Sequence, residues 1–110
     1  MNDRLPASVV ASALIRRVND SGGFATVRAR GDAGGGALLL IATARGGAPK
    51  LFERGIGPAG APQAIDSTPV DASPDAIEEY WRKRRARDPD LWVIELDSPD
   101  AERFAVETLR

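Results

Sequence analysis

Six consecutive apolar residues, Ala37-Leu38-Leu39-Leu40-Ile41-Ala42, constrain this chain more than any other feature. Successive side chains of a strand point to opposite faces, so a strand with one face in water alternates apolar and polar residues. This stretch does not alternate. It predicts a strand covered on both faces and therefore central in a sheet. Turn-forming segments bound it, Gly31-Asp32-Ala33-Gly34-Gly35-Gly36 before and Gly46-Gly47 after. Residues 23–30 read as a strand, with Phe24, Thr26, Arg28 and Arg30 on one face and Ala25, Val27 and Ala29 on the other. Lys50-Leu51-Phe52-Glu53-Arg54 reads as a third strand. Three strands joined by short turns predict an antiparallel meander. Residues 63–67 are a candidate fourth strand, and Leu91–Leu96, apolar on both faces at its start, extends the sheet. The pattern fixes no strand order.

Helices account for much of the remainder. Residues 6–19 open on Pro6 and stop at Ser21-Gly22-Gly23. At 100° per residue, Ala7, Val10, Ala11, Ala13, Leu14, Ile15 and Val18 fill one arc, opposite Ser8, Ser12, Arg16 and Asn19. Arg17 falls inside the apolar arc. Ser73-Pro74 is a cap followed by proline at the first helical position, and the helix it starts runs to Arg87, where Asp88-Pro89 stops it. Ser98-Pro99 repeats the device before a last helix with Ala101, Phe104, Ala105 and Thr108 on one stripe. The Gly/Pro-rich residues 55–62 form a loop too short to separate two cores. The fold class expected is α+β: an antiparallel meander of three to five strands with two or three helices packed on it, in a single domain over residues 1–110. Deleting 98–110 is expected to be tolerated better than deleting the central strand 91–97.

Composition narrows function by exclusion. A chain of 110 residues, 43% hydrophobic and 28% charged, suits one ordinary globular domain. It has no Cys and no His, which removes zinc fingers, disulfide scaffolds, histidine-ligated haem and Cys or His nucleophile–base pairs. A net charge of −1 gives no global field for nucleic acid or acidic lipid. No apolar run is long enough for a membrane span, and the N-terminal residues lack a secretory pattern. These features point to a cytoplasmic protein with no metal, no cofactor and no membrane partner, and away from an enzyme.

The densest charge feature is Arg82-Lys83-Arg84-Arg85-Ala86-Arg87. Glu78 precedes Arg82 by four residues, Glu79 precedes Lys83, and Arg84 precedes Asp88, so much of this charge is paired within the helix. Trp81 stands four before Arg85, within reach of a cation–π contact. Ile77, Tyr80 and Trp81 define the apolar face, which Arg84 and Asp88 continue. Tyr80, Trp81, Arg84 and Arg85 are the expected interface for a protein partner or for self-association, since Trp and Arg are enriched at such contacts. The alternative is nucleic-acid binding through Arg16, Arg82, Lys83, Arg85 and Arg87. A third reading starts from Arg17 and Arg84, which both point toward apolar interiors. They either snorkel, or pair (Arg84 with Asp88, Arg17 with Glu95 or Asp97), or line a pocket for a small carboxylate or phosphate.

Other motifs carry less. Gly31–Gly36 lacks the Gly-Lys-Ser/Thr ending of a phosphate loop and leads into a strand, so it reads as a hairpin turn. Of the acids Asp32, Glu53, Asp88, Asp90, Glu95 and Asp97, Asp88 and Asp90 have cap and turn roles, and Glu95 and Asp97 share a strand face. None forms a recognisable catalytic pair. No serine has a base partner implied by spacing. Trp92 shares a face with Ile94 and Leu96 and is expected in the core.

Four strings carry a resemblance: Ser12-Ala13-Leu14-Ile15-Arg16-Arg17, then Gly22-Gly23-Phe24-Ala25, then Arg30-Gly31-Asp32 before the apolar strand, and finally Arg85-Ala86-Arg87-Asp88-Pro89-Asp90-Leu91-Trp92-Val93-Ile94-Glu95. In these the chain resembles a small uncharacterised family of alphaproteobacterial proteins known only as a domain of unknown function. The resemblance spans residues 5–97, apart from the Gly/Pro loop, and leaves the last helix outside. It implies a bacterial cytoplasmic origin and no catalytic residue.

Overall fold

The computed structural model describes residues 5–110. The elements, in chain order, are α1 (Ala7–Asp20), β1 (Phe24–Ala29), β2 (Leu38–Thr43), β3 (Lys50–Ile56), β4 (Pro62–Asp66), α2 (Pro74–Arg87), β5 (Trp92–Asp97) and α3 (Ala101–Leu109). The five strands form one sheet in the order β1-β5-β2-β3-β4. The apolar strand β2 is its middle member, as its lack of alternation requires.

The sheet is not the expected antiparallel meander. β2, β3 and β4 do form one, but β5 lies between β1 and β2, antiparallel to β1 and parallel to β2 from Leu38↔Trp92 to Thr43↔Asp97. The reason is burial. β2 and β5 are the two strands apolar on both faces, and adjacent central positions cover both. β1, with Thr26 and Arg28, goes to the edge. A parallel pair needs a crossover, and α2 supplies it.

The layers follow from the alternation within β2. Leu40 and Ala42 face α1 and α3 together with Phe52, Trp92, Ile94 and Leu96. Leu39 and Ile41 face α2 together with Leu51, Leu91 and Val93. The sheet is thus sandwiched between two helices and one. β1 departs from simple alternation, because a bulge between Val27 and Ala29 inserts Arg28 into the ladder with β5. Ala25 therefore packs on the α1/α3 side and Ala29 on the α2 side.

The last helix is not an appendage. Ala101, Phe104, Ala105 and Leu109 are buried in the larger core, so losing residues 98–110 uncovers it just as losing β5 does. Ser73 caps α2 as expected, its hydroxyl accepting from the Ala76 N–H at 3.2 Å. Ser98 does not cap α3 directly; it is buried and accepts from the Asp100 N–H at 3.1 Å, one residue ahead of the helix.

The glycine-rich loop steps over β5 rather than turning a hairpin. The Asp32 N–H donates to the Asp90 carbonyl at 3.0 Å, and the Trp92 indole Nε1 donates to the Asp32 carbonyl at 2.8 Å. The carbonyls of Gly34 and Ala33 accept from the Ala7 and Ser8 N–H groups, each at 2.9 Å. The loop therefore offers carbonyls to the first turn of α1, using up donors that a phosphate would need.

Candidate functional site

α2 carries most of the candidate residues, and its contacts run inward. On one flank the Tyr80 hydroxyl donates to the Glu53 carboxylate at 3.0 Å, and the Arg84 guanidinium pairs with the other oxygen of the same carboxylate. Arg84 is about a third exposed and Glu53 less. Burial opposes the charge on Arg84, but hydrogen bonds to Glu53 and Tyr80 outweigh it and hold its pKa above the usual arginine range. In the middle, Trp81 is 5% exposed, packed with Ile77 on Leu39, Ile41, Leu51 and Val93. Its Nε1 donates to Glu78 at 3.3 Å.

The other flank is a charge network that includes a residue the sequence did not single out. Arg28, turned toward α2 by the bulge, donates to Glu95 at 2.9 Å and to Glu78 at 2.9 Å. Its guanidinium carbon lies 5.5 Å from the Trp81 ring centroid, and that of Arg82 lies 4.9 Å away. Arg82 pairs with Glu78 at 2.7 Å. The hydrogen bond to Glu95 leads in raising the Arg28 pKa. For Glu78, burial alone would lift the carboxyl, but hydrogen bonds from Arg82 and Arg28 hold it below its usual range. Nearer the end of the helix, Arg85 donates to the Arg30 carbonyl at 2.8 Å.

Tyr80, Trp81, Arg84 and Arg85, expected to face a partner, therefore all face the chain's own sheet. Periodicity identified them as one face of α2, and the sheet is what that face meets. The nucleic-acid set does not assemble either. Arg16 stands on α1, across the sheet from α2. Arg82 is paired with Glu78, and Lys83 with Glu79 at 2.9 Å. Arg87 follows Arg85 by two residues, which turns it about 200° away around the helix. The anion pocket is likewise excluded. Arg17, on α1, pairs with Glu107 at 2.6 Å and lies 5.0 Å from the Phe104 ring centroid, on the opposite side of the sheet from Arg84. The expected partners are otherwise engaged: Glu95 holds Arg28, Asp97 accepts the Arg45 N–H at 3.2 Å, and Asp88 accepts the Asp90 N–H at 3.1 Å. Glu53, considered in the sequence only among the candidate acids, is instead the shared acceptor of Tyr80 and Arg84.

With α2 so occupied, exposed apolar surface lies at the edges of the sheet. β1 pairs on one side only. Phe24 is 72% exposed and Val27 40%. Phe24 through Arg30 contains no acidic residue, and among the described residues neither Arg30 nor Arg85 has an ion-pair partner. The opposite edge, β4, begins with Pro62, which has no N–H to offer. No helix among the described residues is long and apolar enough to cross a membrane.

Solved structures of similar proteins share this architecture. A crystal structure of a DUF1491 family protein from Caulobacter crescentus CB15 is 31% identical, covers 92% of this chain and 94% of its own, and superposes with a TM-score of 0.82. An NMR structure of a DUF1491 family protein from the same strain is 31% identical over 92% of each chain, with a TM-score of 0.78. A solution structure of a protein from A. tumefaciens is 26% identical over 96% of this chain and 94% of its own, with a TM-score of 0.76. None of the curated proteins matches the chain. The matching family model, "Protein of unknown function (DUF1491)", covers residues 5–106 and so takes in most of α3, beyond the expected limit at 97. With alphaproteobacterial relatives, that fold and that span, the chain belongs to the DUF1491 family.

Proposed function

We propose that this protein is a cytoplasmic, non-enzymatic accessory domain that holds a protein partner along the open edge of β1. The observation that carries this reading is the edge itself. It combines unpaired backbone with exposed Phe24 and Val27, and it is flanked by Arg30 and Arg85, neither of which has a carboxylate partner among the described residues. An extended partner segment can add to such an edge as a further strand, with main-chain hydrogen bonds for affinity and alternate side chains for selectivity. The charge favours a segment bearing acidic residues between apolar ones. The bulge confines regular pairing to Phe24–Val27 and bends the strand beyond, which discourages unspecific edge-to-edge association.

The test is affinity capture from native lysate with wild type, Phe24→Lys and Val27→Lys, each with and without nuclease. The expected result is a protein that wild type retains after nuclease treatment and that both variants lose while their unfolding midpoints stay unchanged. Retention by both variants overturns the assignment to β1. Loss of all captured material on nuclease treatment replaces a protein partner with nucleic acid.

A further inference from the structure

The open edge of β1 carries an arginine on each of its two sides, at the same end of the strand. Arg85 reaches the edge from the α2 side, where its Nη2 donates to the Arg30 carbonyl at 2.8 Å. The Arg30 side chain goes to the other side. Its guanidinium carbon lies 5.2 Å from the centroid of the Trp92 ring, and Trp92 belongs to the core beneath α1 and α3. Among the described residues neither guanidinium has a carboxylate partner. Asp32, the acid nearest Arg30 in the sequence, turns its carboxylate back onto the Gly34 and Gly35 N–H groups at 3.2 and 2.8 Å. The other cations of this flank are balanced: Arg28 and Arg82 share Glu78, and Arg28 also holds Glu95.

Both arginines are oriented within the free chain. The bond to the Arg30 carbonyl sets the Arg85 fork beside the strand, and its buried Nε has no acceptor. Stacking on Trp92 directs Arg30. A side chain ordered in advance gives up little freedom when it pairs. Their placement on opposite sides imposes a pattern on an added strand, because successive side chains of a strand point to opposite faces. Two adjacent acidic residues would offer one carboxylate to Arg85 and the other to Arg30. Two acids separated by one residue would both lie on one side and leave one arginine unused. The exposed apolar groups are divided in the same way. Val27 stands opposite Ile94 on the α1/α3 side, and Phe24 lies on the α2 side. The added strand therefore needs apolar residues on both of its faces as well.

We propose, on the reading that β1 accepts an added strand, that the partner segment carries two consecutive acidic residues flanked by apolar ones, with one carboxylate on Arg85 and the other on Arg30. The test is calorimetry at low salt, with amide NMR of the full chain, on three peptides capped at both ends. The first, Val-Thr-Val-Glu-Glu-Val-Thr-Val, reads the same in either strand direction. The second, Val-Thr-Glu-Val-Glu-Val-Thr-Val, keeps its composition and charge but separates the acids. The third replaces both glutamates of the first with lysine. The first should shift the Phe24–Val27 amides and bind about threefold or more tightly than the second, the gain expected of one further exposed ion pair. The lysine peptide should be weaker than the first by about tenfold or more. Arg30→Gln and Arg85→Gln should each remove the lead of the first peptide over the second, and added salt should shrink it. If either variant unfolds, the wild-type peptide series decides alone. Equal binding of the first two peptides, with shifts on β1, overturns the acidic pair and leaves strand addition standing. Equal binding of the lysine peptide overturns the acidic chemistry altogether. No shift on β1 with any peptide overturns strand addition itself, and the acidic pair with it.

Discussion

Three glycines of one loop should respond to alanine in opposite directions. A Cβ at Gly31 would lie 2.1 Å from the Asp90 carbonyl oxygen and 2.6 Å from the Trp92 ring, where ordinary contact begins at 3.4 Å. At Gly36 the same oxygen would be 2.2 Å away. The obstacle is backbone, so the loop itself must lift by more than an ångström. That displacement breaks the Asp32 N–H bond to Asp90 and the indole bond from Trp92 to Asp32, now 3.0 and 2.8 Å. Each hydrogen bond contributes ~0.5–1.5 kcal/mol net, and forced overpacking costs ~1–3 kcal/mol more. Gly31→Ala and Gly36→Ala should therefore each lose about 2–6 kcal/mol. Gly34→Ala meets only the Asp32 carboxylate at 3.6 Å, and its φ is not positive. By restricting the unfolded chain it should be neutral or stabilise by ~0.4–1 kcal/mol. Urea titration followed by circular dichroism reads all three as midpoint shifts at constant slope. A loss at Gly31 or Gly36 no larger than at Gly34 would refute the clamp between the loop and the Asp90–Trp92 segment.

Trp92→Ala should lose ~3–5 kcal/mol in the same titration, because the indole is buried in the larger core and anchors the loop; a loss under ~1 kcal/mol contradicts that placement. Glu53→Ala should cost about 1–3 kcal/mol by leaving half-buried Arg84 and Tyr80 without their acceptor, and Tyr80→Phe less; equal, negligible losses would show that this flank does not hold α2. Glu78, with its pKa held down in the folded state, contributes stability that is complete above its unfolded value near 4.5 and fades as pH falls through the folded one. The unfolding midpoint should therefore drop on acidification below that value, and more shallowly in Glu78→Gln; an identical acid limb in the variant argues against the network. Native-state hydrogen exchange should find α2 opening at lower free energy than α1 or α3, with the gap widening as salt is added; equal protection of the three helices would contradict this.

Local signals made the elements legible. The caps at Pro6 and Ser73, the stop at Asp88-Pro89 and the unbroken run into Ala42 placed helices and the central strand close to where they lie. The order of the strands was not local information. It depends on which strands most need covering on both faces, and a turn-length argument sees only sequence neighbours. The bulge at Arg28 was hidden for a related reason: an unbroken alternating string gives no sign that one residue drops out of register with a partner strand almost seventy positions away. The candidate site failed at a different step. The sequence correctly grouped Tyr80, Trp81 and Arg84 on one face of α2, but a face does not name what it meets, and the acceptor, Glu53, came from a distant strand.

The apparent excess of charge on α2 has a structural cause. α1 and α3 each bury four residues, whereas α2 buries two, Ile77 and Trp81. Two side chains give a helix little apolar attachment, at roughly 1.5–3 kcal/mol each. Polar clamps on both flanks supplement it: Tyr80 and Arg84 on Glu53, and Arg28 with Glu78 and Arg82 around Trp81. Each exposed pair is weak alone, but a network that shares Glu78 and sits over an indole ring orients the helix as well as holding it. Arginine suits this work because its fork can bridge two carboxylates, as Arg28 does, and still stack on an aromatic face. A run of cations that looks like a grip for phosphate is in good part the attachment of α2 to its own sheet. Function must then be sought on surface that this attachment leaves free, which is why the open edge of β1 carries the proposed partner site.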